Sequence, residues 1–271
     1  EGDLVDGSPY LRILSRFLDT KEAPLSIHNF VRFGEAQLGK KPGQWFGPTS
    51  GAHAASHLLR THPEAGFGLG CVVFEDGVII KPEVEQQLQD HKAGTIMLWC
   101  RKLGSDDFNA AKYQTPIQQL FGLSQFQGLA SGGPTTSAYY FVAACNDYLF
   151  YLDPHVHCQS ALTSVDADEV RQHHLHAPQA LQLQWRALNA SVCAVFLIRD
   201  LDDFGDLCAH LNGIDDELFE VLEQPLNKNP DVELVEVFND VAEVAGVELS
   251  PVFLPHSCQP SREADGFTLI G

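Results

Sequence analysis

At 271 residues and 44% hydrophobic composition, the chain can bury a full core, as one large domain or one domain with a tail. Its 17 Lys and Arg stand against 36 Asp and Glu, a net charge of −19 with no basic run, which argues against nucleic acid or an anionic membrane as partner. No apolar stretch reaches about 18 residues, so no spanning helix is expected, and no signal-peptide pattern opens the chain.

Ser8-Pro9 reads as a helix start, with Leu11, Leu14, Phe17 and Leu18 at helical spacing. A basic, Gly-containing loop over 34–43 follows, ending in Gly43-Gln44-Trp45-Phe46-Gly47-Pro48. A short helix is predicted over 52–59, and strands over 71–74, 78–80 and 95–99. Thr115-Pro116 reads as the opening of another helix, and Ser131-Gly132-Gly133-Pro134 as a loop. Strands are predicted over 138–144 and 148–152, joined by Asn146-Asp147, residues that tolerate the conformations of a tight hairpin turn. A strand over 190–198 and a helix over 200–212 follow, with Phe204, Leu207, Cys208 and Leu211 inward. Composition changes near Pro225. From Asn229 to Ser261 there are six acids and no Lys or Arg, yet Leu234, Val237, Phe238, Val241, Val244 and Ala245 still give an apolar helical stripe. The expectation is an α+β layer fold over 1–225, with an acidic helical and flexible tail over 226–271.

The seven cysteines are scattered, several in apolar runs, and none forms Cys-x-x-Cys. Buried free thiols in a reducing compartment fit this best, so a cytoplasmic location is expected. Gly68-Leu69-Gly70-Cys71 looks like a glycine-flanked nucleophile, but Val72-Val73-Phe74 continues it as a strand. A thiol inside a strand gains no helix dipole, and Cys71 reads as a core residue.

Asp153-Pro154-His155 ends the apolar run 148–152. In an extended chain residues i and i+2 share a face, so Asp153 and His155 project together. A carboxylate beside an imidazole fixes its tautomer and stabilises the imidazolium, which makes the pair two thirds of a nucleophilic triad. His155, His157 and Cys158, and then His173, His174 and His176, invite a zinc reading. The complementary ligand spacings of a closed tetrahedral site are missing, and no metal or other cofactor is expected.

Taken in order, these segments resemble the autophagins, cytosolic cysteine endopeptidases of autophagy with a papain-like core. The resemblance runs through Ser26-Ile27-His28 and the tryptophan loop Gly43–Thr49. It continues through the glycine loop 128–133 with Ser137–Phe141, then Tyr151–His155, and Asp202-Asp203-Phe204, and covers roughly residues 8 to 225. It implies a papain-like core with an antiparallel sheet. Asp153 and His155 would be catalytic, Trp45 would lie over the cleft, and a loop at Gly132 and Gly133 would lift to admit substrate. The implied substrate is a ubiquitin-like autophagy modifier, cut after its C-terminal glycine or released from phosphatidylethanolamine. The only membrane contact would then be through the lipidated substrate, and a monomer is expected.

Two departures stand out. The family's nucleophile lies in a Gly-Trp-Gly-Cys motif before the Ser-Ile-His segment, and its oxyanion tyrosine is also upstream. No cysteine precedes Ser26 here, so an N-terminally incomplete and inactive chain is expected. Pro134 also follows the two glycines, where the family usually has lysine. At the other end, Phe267 and Ile270, preceded by Glu263 and Asp265, fit a strand added to a partner's sheet edge, a modifier-binding motif the family often carries. The alternatives are a pseudo-protease that holds the modifier without cutting it, and a zinc-stabilised scaffold.

Overall fold

Strands of mixed pattern, some alternating in burial like Tyr148–Leu152 and some continuously buried like the middle of Thr95–Asp107, build a seven-stranded sheet against which helices pack. The computed structural model describes residues 9–133, 137–153, 161–166, 170 and 181–224. Three helices come first: α1 (Pro9–Leu14), α2 (Ile27–Leu38) and α3 (Pro48–Thr61). Strands β1 (Gly70–Phe74) and β2 (Val78–Ile80) precede α4 (Lys81–Asp90), β3 (Thr95–Asp107) and α5 (Ala110–Leu120). Then come β4 (Phe126–Gly132), β5 (Ala138–Cys145), β6 (Tyr148–Leu152) and β7 (Leu181–Gln184). A 3₁₀ turn (Trp185–Ala187) leads to β8 (Asn189–Ile198), α6 (Leu201–Ile214) and β9 (Glu220–Leu222).

The sheet runs β1-β3-β8-β4-β5-β6-β7. Only β1 and β3 pair in parallel; the other five ladders are antiparallel. This is the α+β, papain-like arrangement expected from the sequence. Because strand side chains alternate between faces, the sheet separates two apolar layers. One holds Trp99, Leu129, Phe141, Tyr151, Ala194 and Phe196, all buried. The other sets Cys71, Leu98, Cys100 and Cys193 against Ala52 of α3. Each large apolar side chain so buried stabilises the fold by roughly 1.5–3 kcal/mol before entropy is charged against it.

Polar contacts fix α6. Asp200 Oδ1 accepts the Asp203 N–H at 2.9 Å, and Asp203 Oδ2 accepts the Arg199 N–H at 2.9 Å. That reciprocal cap places acids at the positive end of the helix. Buried Gln125 donates to Asp203 Oδ1 and Asp206 Oδ2, joining this end to the segment before β4. The apolar face of α6 is Phe204, Leu207, Cys208 and Leu211, as its spacing predicts.

Several elements differ from their sequence reading. Helix α1 ends at Leu14, and Phe17 is exposed. The predicted basic loop begins at Gly39, since α2 continues through Leu38, and Gly39 closes it in the left-handed conformation. Helix α3 starts four residues early, at Pro48. Thr115-Pro116 does not open a helix: α5 begins at Ala110, where Asn109 caps it through the Lys112 N–H, and Pro116 lies inside. Strand β3 extends to Asp107. Ser131 and Gly132 are not loop residues but the end of β4, paired with Tyr139 and Ala138. Among the described residues, no helix is long and apolar enough to cross a membrane.

Candidate active site

Asp153 stands one residue past β6 and is half-buried. Along β6, Leu149 and Tyr151 are buried while Leu152 is exposed. Carrying that alternation forward puts Asp153 on the Tyr151 side. The electrostatics agree. The Tyr151 phenol is pushed well above its ordinary value, mainly by burial, then by Tyr139, by the Asp153 carboxylate, and by a hydrogen bond between the Tyr151 and Tyr139 hydroxyls. The two tyrosine rings lie 4.3 Å apart, and Phe141 closes the group with its ring 5.6 Å from that of Tyr151.

Gly132 and Gly133 belong to the hairpin of β4 and β5. Gly132 faces Ala138 across the ladder, and the Gly133 N–H donates to the Ser137 carbonyl at 3.1 Å. Beneath them the buried Ser131 hydroxyl donates to the Ser191 carbonyl at 2.8 Å. A Cβ at Gly133 would overlap the Tyr139 ring, so only glycine lets that ring lie against the backbone here. Strand β5 thus stands between the glycines and β6, and the Tyr139 ring lies against Gly133 on one side and Tyr151 on the other.

Trp45 lies on the connection from α2 to α3 and is 48% exposed. Its carbonyl accepts Lys40 Nζ at 3.0 Å, and its neighbour Phe46 packs its ring on Gly34 of α2. The loop is therefore anchored by Phe46 while Trp45 projects. It leads into α3, which packs on β1, β3 and β8 rather than on the β4–β5–β6 end of the sheet.

Cys71 is a buried thiol of β1, 5% exposed and surrounded by Ala52, Leu98, Cys100 and Cys193. Burial pushes its pKa up to about 11, and Cys208 is likewise pushed up to about 11 by burial. Cys193 is raised by its hydrogen bond to Cys100 and by burial. These are the opposite of activated nucleophiles. No group of three or more His, Cys, Asp and Glu side chains fit to hold a metal occurs among the described residues. Pro134, His155, the His157–Cys158 and His173–His176 clusters, Phe267 and Ile270 lie outside the described residues. What sequence reasoning missed is Tyr139 and Tyr151. Their alternation in β5 and β6 was visible, but their pairing depends on cross-strand register.

Residues 5–210 match the Peptidase C54 catalytic domain. The chain is 35% identical over 167 residues to "Cysteine protease ATG4" of Kluyveromyces marxianus, covering 61% of this chain and 37% of that protein. It is 32% identical over 213 residues to "Cysteine protease atg4" of Emericella nidulans, covering 75% and 51%. To "Probable cysteine protease atg4" of Schizosaccharomyces pombe it is 31% identical over 231 residues, covering 84% and 69%. The chain thus spans between about a third and about two thirds of the length of these relatives. With the α+β sheet and the order of its motifs, these matches make the chain a member of the Peptidase C54 family of cysteine proteases.

Proposed function

We propose that the chain is the greater part of the peptidase domain of a cysteine endopeptidase acting on a ubiquitin-like autophagy modifier. It cuts after the modifier's C-terminal glycine and, by the same bond cleavage, frees the modifier from phosphatidylethanolamine. The observation that carries this reading is Asp153, half-buried beside Tyr151 at the end of β6, in a chain of this protease family.

Asp153 orients the imidazole of His155, which takes the proton from a cysteine thiol supplied outside residues 1–271. The thiolate attacks the glycyl carbonyl carbon. The C–N bond breaks, and His155 returns the proton to the leaving amine. Water then hydrolyses the thioester. The lipid conjugate presents the same amide, with ethanolamine nitrogen as the leaving group. Trp45 covers the cleft so that any Cβ at the cleavage site clashes, and Gly132, Gly133 and Pro134 border the substrate path. The peptidase domain spans 1–225. The tail 226–271 engages the modifier through Phe267 and Ile270. The protein acts as a cytoplasmic monomer that meets membrane only through its lipidated substrate.

The test is incubation of the modifier precursor with the 271-residue chain and with the complete protein, read by mass spectrometry. Cleavage after glycine by the complete protein alone, lost in His155→Ala, is expected. Cleavage by the 271-residue chain would overturn the assignment of the nucleophile to an upstream cysteine. Tight binding without cleavage by the complete protein would establish the pseudo-protease instead.

A further inference from the structure

We propose that Tyr139 is a positioning residue that couples the Gly133 end of the β4–β5 hairpin to the Asp153 carboxylate. The inference rests on the reading of Asp153 as a triad member, and it gives Tyr139 a role that the sequence motifs do not assign.

Three contacts meet on this one side chain. Its ring lies so close over Gly133 that a Cβ there would overlap it. The same ring lies 4.3 Å from that of Tyr151, with a tilt of 39°. The Tyr139 hydroxyl acts on that of Tyr151, which stands two residues before Asp153. Tyr139 and Tyr151 are 7% and 2% exposed, so both rings are held inside the packing. On the far side Tyr139 faces Ser131 across the ladder, and Ser131 is itself bonded to the β8 backbone.

Displacement of the strand end at Gly133 must therefore push the Tyr139 ring. The ring is packed against Tyr151 and Phe141, 6.2 Å away, and cannot yield without moving them. The end of β6, and with it the carboxylate, takes up the shift. Substrate contact at the glycines is thereby felt where the imidazole is to be oriented, and a small error in that orientation is expensive in rate.

The experiment uses the 271-residue chain labelled with ¹³C at the aspartate carboxyls, with Asp153→Asn assigning the signal. Gly133→Ala is expected to shift the Asp153 resonance when Tyr139 is present and to leave it in place when Tyr139→Leu has removed the ring. A shift of equal size in both backgrounds, or in neither, overturns the coupling. Tyr139→Phe keeps the ring and deletes the hydroxyl. It is expected to move the Asp153 resonance while leaving the Gly133 amide in place, which a merely structural role would not do. An Asp153 resonance unmoved by Tyr139→Phe overturns the proposal even where a Gly133 variant fails to fold. None of these readouts needs turnover, so they stand or fall separately from the peptidase activity.

Discussion

The Phe46 ring lies on Gly34, where a Cβ would run into it, and this contact ties the loop carrying Trp45 to helix α2. The indole is thus held at the surface by its neighbour's burial rather than by its own. Gly34→Ala gains about 1 kcal/mol of helix propensity. Expelling the Phe46 ring costs about 1–3 kcal/mol, and a net loss of stability follows. Trp99 and Trp185 are buried, so iodide quenching of tryptophan fluorescence reports Trp45. Greater quenching in Gly34→Ala, with a lower thermal midpoint, is the expected result.

Trp45→Ala removes a half-exposed ring and should change stability by under about 1 kcal/mol. In the complete enzyme it should instead relax the preference for glycine at the cleavage site. A panel of precursors with Ala or Ser at that position, compared by kcat/KM, measures the effect. An unchanged preference would end the covering role.

Asp153→Asn should leave the fold intact and lower kcat of the complete enzyme by about 10⁴, because the imidazole loses its orienting acceptor. His155→Ala should be at least as severe, and the double variant no worse than the more severe single one. Additive losses would show that the two side chains do not act as a unit.

Burial raises the Cys71 and Cys208 thiols from 9.0 to about 11. The folded state therefore holds these protons more tightly than the unfolded chain. Their contribution is complete below about pH 9 and is lost as pH rises toward 11. Two units correspond to about 2–3 kcal/mol for each thiol. Urea denaturation between pH 8 and 11 should show that decline, and Cys71→Ala should flatten it only in part, because Cys208 and the raised Cys193 thiol remain. Alkylation at pH 8 should reach exposed Cys145 well before Cys71.

A peptide of the last dozen residues should bind the modifier, and Phe267→Ala with Ile270→Ala should abolish the titration signal. Loss of both apolar anchors is what strand-addition binding predicts, with Glu263 and Asp265 expected to tune on-rate more than affinity. Equal binding by both peptides would refute it.

The strands at the hairpin of β5 and β6 were legible because Leu149 and Tyr151 alternate with less buried neighbours and Asn146 supplies the left-handed turn. Strand β4 was not, since Gly128, Ser131 and Gly132 have little strand preference of their own and are held by β5 and β8. Helix α4 buries only Val84 and offers no apolar stripe to read. Pro116 misled because a proline suits a first helical turn, yet here the helix already has its cap at Asn109. For the site, Asp153 and the two glycines stood out as a family pattern in the sequence. Tyr139 and Tyr151 lay inside the matched segments without a role, because a one-residue change of register would have turned Tyr139 to the other face.

The small parallel sheet of β2 and β9 has a consequence for synthesis. Lys81 Nζ meets Glu223 Oε1 at 2.7 Å across 142 residues of chain, and Arg101 donates to the carbonyls of Glu217 and Leu218. Closing so long a loop is entropically unfavourable, and it must happen before those contacts return anything. A ribosome therefore releases β2 long before the strand that pairs with it exists. Until residue 222 emerges, the backbone edge of β2 and the Trp99 face that Phe219 will cover stay open to other chains. Slowing translation across residues 150–220 lengthens that interval and should raise the aggregated fraction.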